Sequence, residues 1–260
     1  MKPKKKIAIF IAYKAADTLE KFYKSFPKSL FDEIILVDDC SPDETFAIAK
    51  KLKGLKAYRN KVNLGYGGNL KKAVCLALSH GADIIVDIHP DGEYKPSAIP
   101  PALEKITKEK CDFVMGNRFT SVESQLKSGM FAWKILPLLA LSFIDRLVLG
   151  VKITDFHQGF RVYSRKLFEK VNFEKNSNNY LFSFELITQA VFHKIKIAEV
   201  PVETNYEGKK RGASLKNSIK YTSGTFKILG LYLLAKLGVR IELFEKPKTD
   251  LEKRISPLLN

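Results

Sequence analysis

The chain has 260 residues, 45% of them hydrophobic and 28% charged, with 44 lysines and arginines against 28 acids and a formal charge of +16. This composition excludes a disordered protein and leaves room for one large core, while the charge calls for an anionic partner: nucleic acid, an acidic membrane face or a phosphorylated substrate. The cysteines, Cys40, Cys75 and Cys111, are odd in number and far apart, which excludes a zinc spacing or disulfide framework and fits a reducing compartment.

In chain order, the basic start runs into the apolar stretch Ile7–Ala12, which stops at Tyr13 and Lys14 without a small-residue cleavage site. It reads as a first strand, not a signal peptide. Asp17–Phe26 reads as a helix. Glu33–Val37 is a second strand, ending in Asp38, Asp39, Cys40, Ser41, Pro42 and Asp43. Glu44–Leu52 is helical and Ala57–Arg59 a short strand. The glycine-rich Asn63–Gly68 opens a helix over Asn69–Ser79. The strand beginning at Ile84 is followed by a helix after Pro100 and Pro101 and a strand at Phe113–Met115. Strands alternating with helices predict an α/β fold with a mostly parallel sheet.

The second half changes character. Phe131–Leu149 is apolar, but Lys134, Pro137, Asp145 and Arg146 interrupt it; Lys236 and Arg240 interrupt Ile228–Phe244 in the same way. Both fall short of the ~20 apolar residues needed to span a bilayer. Phe131–Leu149 reads either as an amphipathic helix lying in a membrane interface or as a helix against the sheet. The net charge and Trp133 favour the first. Ser218–Leu237, with Lys220, Lys227 and Lys236, is a second such segment. Both suit an acidic lipid face. The last fifteen or so residues are polar and read as a loosely held tail.

The chemistry gathers at strand ends. After Ile84–Val86 come Asp87, His89, Asp91 and Glu93, followed by Tyr94, Lys95 and Pro96. Such a cluster at a carboxyl edge can hold a divalent cation against a diphosphate, because hard cations take oxygen ligands and complete their shell on phosphates. It also fits a solvated acidic turn. Asp38 and Asp39 can accept from a ribose hydroxyl or a base N–H, while Ser41 or Asp43 can cap the next helix. Amides of the loop Asn63–Asn69, at a helix start, can meet a phosphate; an ordinary tight turn explains the same glycines. His80, His157 and His193 lie at no ligand-like spacing and read as incidental.

Taken together, a strand entering Ala12-Tyr13, then VDDCSPDET, NLGYGGNLKKA, the acidic strand end, and Gly116-Asn117-Arg118 form an ordered series. It resembles the family 2 glycosyltransferases of GT-A fold, most closely the dolichol- and polyprenyl-phosphate mannose or glucose synthases. TDFHQGFRVYSRKLFEKV (154–171), the helix start at Phe182–Glu185, the strand Glu199–Val202 and KKRGASLK (209–216) continue the likeness, which covers roughly residues 5–225. The resemblance implies a catalytic domain over 1–217, a membrane-associating helix over 218–245 and the tail over 246–260. It also implies transfer of a hexose from a nucleotide-diphosphate sugar, with inversion, to a polyprenyl phosphate at the cytoplasmic face of a membrane, by a protein that can self-associate.

The family's Asp-x-Asp falls on His89-Pro90-Asp91. Asp91 is therefore the leading metal ligand, with His89 or Asp87 assisting and Glu93 a further candidate, and the histidine favours Mn2+ over Mg2+. The family's Tyr-Asn-Glu is altered to Tyr13-Lys14-Ala15, and an arginine becomes Lys209, which keeps charge but loses the bidentate fork. The nucleotide is assigned to Ala12, Tyr13, Asp38, Asp39, Asn63, Gly67, Asp87, Lys209 and Arg211. Asp155 is the candidate general base for a hydroxyl acceptor; Arg118, Arg161 and Arg165 are candidates to position a phosphate acceptor. Competing readings are transfer to a hydroxyl of a glycan or glycolipid, and a non-catalytic nucleotide-sugar binder. Nucleic-acid binding is disfavoured, since no interleaved basic-aromatic module is present.

Overall fold

The computed structural model describes residues 4–120, 130, 132–206 and 215–259. A seven-stranded sheet forms its centre. The strands are β1 (Lys6–Ala12), β2 (Glu33–Asp38), β3 (Leu55–Arg59), β4 (Ile84–Asp87), β5 (Phe113–Asn117), β6 (Arg161–Ser164) and β7 (Ile197–Pro201). Their order is β3-β2-β1-β4-β6-β5-β7, parallel except for β6, which runs antiparallel between β4 and β5. The mostly parallel α/β sheet expected from the sequence is thus present.

Strand periodicity explains the layers. Alternate side chains of a strand face opposite ways, and along β1 Ile7, Ile9 and Ile11 enter one core while Ala8, Phe10 and Ala12 enter the other. Helices α1 (Ala16–Ser25), α2 (Thr45–Lys51) and α4 (Ile99–Thr107) cover the second core. Pro100 and Pro101 sit in the first turn of α4, where the missing N–H costs nothing. The first core lies under α3 (Gly65–Ser79), α6 (Arg165–Lys170), α7 (Leu181–Phe192), α8 (Leu215–Lys236) and α9 (Leu251–Leu259). Helix α5 (Ala132–Leu149) joins α8 at one side.

One strand has no local signal in the sequence, and one expectation needs correction. Arg161–Ser164, inside the motif at 154–171, is a fully buried strand. It is too short to show a period of its own; its partners on β4 and β5 hold it. The terminal segment is not loose: α9 buries Leu251, Arg254 and Ile255. Arg254 donates to the carbonyl oxygens of Phe168 and Val171 and pairs with Glu174. A short polar segment whose apolar residues fall on one helical face can dock even when its average composition looks like that of a tail.

Candidate functional site

The parallel strands bring Ala12, Asp38, Asp87 and Asn117 to one carboxyl edge. Because β6 is antiparallel, its first residue reaches the same edge, with Arg161 paired to Asp87 in register. The chain crosses to β2 on one side of β1 and to β4 on the other. A crevice at such a reversal of strand order is where open α/β sheets bind ligands.

The first two loops are tied together. Ser41 Oγ accepts from Lys14 N, and Thr45 Oγ1 from Ala15 N. Asp43 Oδ1, two residues ahead of α2, accepts from Thr45 N at 3.2 Å. Tyr13 is left half exposed above this edge. Asp38 is buried, accepting from Ser41 N and pairing with Arg59 Nε at 3.3 Å.

The expectation of free amides in the glycine-rich loop is not met. The carboxylate of Asp39 accepts from Leu64 N at 2.8 Å and Gly65 N at 3.0 Å, serving the start of α3. Gly67 N and Gly68 N both donate to the carbonyl of Asn178. A Cβ on Gly67 would lie 2.3 Å from Ser177 O and 2.8 Å from Asn179 O. This glycine is required by backbone contact with the segment before α7. Asn63 donates to Asp39 O at 3.1 Å, bracing the same turn.

Beside it is a buried polar cluster. Asp87 Oδ2 accepts from Tyr163 Oη at 3.1 Å, while Asp87 Oδ1, His89 Nε2 and Arg161 Nε are buried without a hydrogen-bond partner. Burial pushes the Asp87 carboxyl up, with His89 and Arg161 pulling the other way. The Tyr66 ring packs against His89 at 5.7 Å and under the exposed Tyr180 at 5.0 Å. Buried polar atoms without partners are costly and mark positions that a ligand can complete.

Among the described residues no three His, Cys, Asp or Glu side chains converge as a ready-made metal cage. The individual donors nevertheless fit a cation that takes most of its shell from phosphates. Asp91 is exposed at the mouth, one oxygen accepting from Glu93 N, and His89 Nε2 has no hydrogen-bond partner. Glu93 is half-buried near the phenols of Tyr94 and Tyr206; burial raises both, and the Glu93 carboxylate adds to the rise.

That network leads to the most heavily bonded pair in the site. Arg118 grips Asp155 with Nε at 2.7 Å and Nη2 at 2.9 Å. It also donates to Tyr206 Oη at 3.1 Å and to the carbonyl of His157 at 3.0 Å. Burial opposes ionisation of Asp155, but the guanidinium and its N–H donors outweigh it and hold the carboxyl below the usual range. Asp155 and Arg118, expected to act separately as base and phosphate clamp, are each other's partners.

His157 is not incidental. Its Nε2 meets Asp145 Oδ2 at 2.8 Å and its Nδ1 meets Tyr221 Oη at 3.0 Å. Asp145 lies on α5 and Tyr221 on α8, separated from His157 by 12 and 64 residues. No local spacing reports such a contact. The two helices turn apolar residues outward: Trp133, Leu136, Phe143 and Leu147 on α5, and Ile219, Phe226, Leu233 and Leu234 on α8. Leu136 and Leu147 are 75% and 74% exposed, whereas Asp145 is fully buried. Lys220, Lys227 and Lys236 are exposed along α8. No helix among the described residues is long and apolar enough to cross a membrane.

Arg165 does not belong to the site. It follows β6, bonds the carbonyl of Leu78 and pairs with Glu169 and Glu252 at the opposite edge of the sheet. Lys209 and Arg211 lie outside the described residues.

Known proteins are similar to this chain in sequence and in fold. An uncharacterised protein of Methanocaldococcus jannaschii is 31% identical over 82% of this chain and 83% of its own. The UDP-N-acetylglucosamine–dolichyl-phosphate N-acetylglucosaminyltransferase of Methanococcus voltae is 27% identical over 88% of this chain and 95% of its own. The polyprenol monophosphomannose synthase of Mycolicibacterium smegmatis is 26% identical over 80% of this chain and 76% of its own. In fold, the chain is similar to glucosyl-3-phosphoglycerate synthase of Mycobacterium tuberculosis, solved with Mn2+, UDP and glucosyl-3-phosphoglycerate. The TM-score is 0.65 at 18% identity, over 92% of this chain and 82% of that one. The sequence profile of glycosyl transferase family 2 matches residues 7–171, and with a GT-A-like sheet and its acidic carboxyl edge in place, the chain belongs to that family and is a glycosyltransferase.

Proposed function

We propose that the protein moves a hexose from a nucleotide-diphosphate sugar, of the GDP-mannose or UDP-glucose type, to a polyprenyl or dolichyl phosphate, with inversion, at the cytoplasmic face of an acidic membrane. The observation that carries this reading is the pair of apolar outer faces on α5 and α8, bonded to the site through His157. An interfacial helix gains from buried apolar area and from attraction between lysines and anionic lipid; the exposed Lys220, Lys227 and Lys236 and the charge of +16 supply the second. Two of the relatives are named for transfer to dolichyl phosphate and for synthesis of polyprenol monophosphomannose.

The chemistry of Asp155 points the same way. A hydroxyl acceptor must lose a proton as it attacks, and a carboxylate held below its usual range by Arg118 is a weak base for that. A phosphate oxygen is already ionised. It forms its bond to the anomeric carbon from one face while the bond to the nucleotide's terminal phosphate oxygen breaks on the other, the electron pair leaving with the diphosphate. Asp91 and His89 would hold the divalent cation, Mn2+ ahead of Mg2+ given an imidazole donor. Such a cation neutralises charge on a departing diphosphate. Tyr13, just past β1, and Asp38, at the end of β2, are the residues assigned to the nucleoside.

The test offers purified protein, Mn2+ and a panel of UDP- and GDP-sugars two vesicle-borne acceptors: a polyprenyl phosphate and a glycolipid with a free hydroxyl. Mass spectrometry should find the sugar on the phosphate. Sugar on the glycolipid alone, or donor binding with no transfer to either acceptor, refutes the reading.

A further inference from the structure

His157 occupies a position that the transfer chemistry does not require. Its ring is bonded to α5 through Asp145 and to α8 through Tyr221, at 2.8 Å and 3.0 Å. Its main chain is bonded to the central ion pair: the amide donates to Asp155 Oδ1 at 3.3 Å and the carbonyl accepts from Arg118 at 3.0 Å. One residue therefore joins both outward-facing apolar helices to both halves of the Arg118–Asp155 pair. We propose that His157 is a positioning residue that relays the seating of α5 and α8 on a lipid surface to the geometry of Arg118 and Asp155. The proposal rests on the lipid-phosphate reading above and adds how the site senses the surface that carries its acceptor.

The packing leaves the ring no slack. It stacks on Phe184 of α7 at 5.7 Å and 28°, and meets the Tyr221 ring edge-on at 5.5 Å and 90°. Its side chain is 3% exposed and that of Asp145 0%. Close-packed interiors transmit displacement rather than absorb it. A shift of either helix must carry the imidazole along or break a buried hydrogen bond. The Asp145 carboxylate has its second oxygen buried without a partner, so His157 is its hydrogen-bond partner among the described side chains. An ionised carboxylate only accepts, so Nε2–H donates to Asp145, and burial raises the Tyr221 phenol, which keeps its hydroxyl a neutral partner for Nδ1. Three residues on, at Gly224, α8 lies close against α7, where a Cβ would meet Leu181 Cδ1 at 2.5 Å. A roll or slide of α8 against α7 therefore carries Tyr221 with it.

The test needs no turnover. Vesicles of phosphatidylglycerol and phosphatidylcholine, with and without a polyprenyl phosphate, are added to the full chain. Fluorescence of Trp133, the single tryptophan, reads seating of α5. Hydrogen exchange followed by mass spectrometry reads the segments 113–118 and 153–161. In the wild type, vesicles should shift Trp133 emission to the blue and slow exchange in both segments. Tyr221→Phe, which keeps the ring and removes one hydroxyl, should leave the emission shift in place. Its exchange response should shrink about fivefold, the worth of one buried hydrogen bond. His157→Gln should behave alike. A merely structural role predicts faster exchange everywhere and an undiminished response to vesicles, and that result overturns the proposal. So does a wild-type protein whose exchange ignores vesicles that shift its Trp133, or whose Trp133 ignores them altogether. Absence of sugar transfer to polyprenyl phosphate, measured separately, would refute the function and leave the exchange result standing.

Discussion

Replacing Asp155 by asparagine separates two roles that one residue cannot hold equally. The change keeps the shape of the side chain and removes its charge. Arg118 is 5% exposed and Asp155 0%, so the substitution leaves a buried guanidinium without the Asp155 counter-charge, held by one amide oxygen, the Tyr206 hydroxyl and the His157 carbonyl. Removing one partner of a buried ion pair costs about 3–5 kcal/mol, which for a domain of this size lowers the melting temperature by on the order of 10 °C. Urea melts followed by circular dichroism measure this, with an unchanged slope confirming that stability alone moved. The double variant Arg118→Met/Asp155→Leu should recover most of the loss, because apolar replacement of both partners removes the desolvation penalty as well as the attraction. The pH dependence has a definite sign. Because the folded carboxyl lies below its unfolded value, its contribution is complete above the ordinary aspartate range, about pH 4, and disappears as pH falls through the lower folded value. The wild type should therefore lose its advantage over Asp155→Asn in acid. If Asp155→Asn melts within about 0.5 kcal/mol of the wild type yet transfers no sugar at any pH, the carboxylate is a base and the reasoning fails.

Other outcomes follow from the same geometry. Gly67→Ala drives a methyl group into two carbonyl oxygens and should cost about 3 kcal/mol or more, seen as loss of soluble protein or a lowered urea midpoint. Asp39→Ala removes the acceptor for Leu64 N and Gly65 N and should cost about 1–2 kcal/mol, with Asp39→Asn in between. Lys220→Glu/Lys227→Glu should weaken flotation with acidic vesicles by about 1 kcal/mol or more per site without altering the melting temperature. Deleting residues 246–260 should lower the urea midpoint and speed hydrogen exchange in α3, because Leu251 and Ile255 leave the core; a silent deletion would restore the loose-tail expectation.

The fold was legible because each β-strand carries its instruction locally. Ile7–Ala12 and Ile34–Val37 are fully or nearly fully buried on both faces, and such apolar runs, separated by helical segments, admit few arrangements other than a parallel sheet. Strand ends were legible too, since carboxylates cannot continue into a core; that placed Asp38, Asp87 and Asp91 at one edge before any contact was known. β6 was not legible, because four residues carry no period and its antiparallel direction is set by β4 and β5.

The sequence by itself determined which residues could reach the carboxyl edge, a charge of +16 that favours anionic partners, and the family to which the ordered motifs belong. Only the tertiary structure decided how those residues spend their hydrogen bonds. Asp39 accepts from the amides of a helix start, Asp155 closed on Arg118, and His157 became the junction of two distant helices. The physical reason is that strand and helix periods are written within a few residues, whereas a buried polar group takes whichever partner packing brings within about 3 Å, from anywhere in the chain.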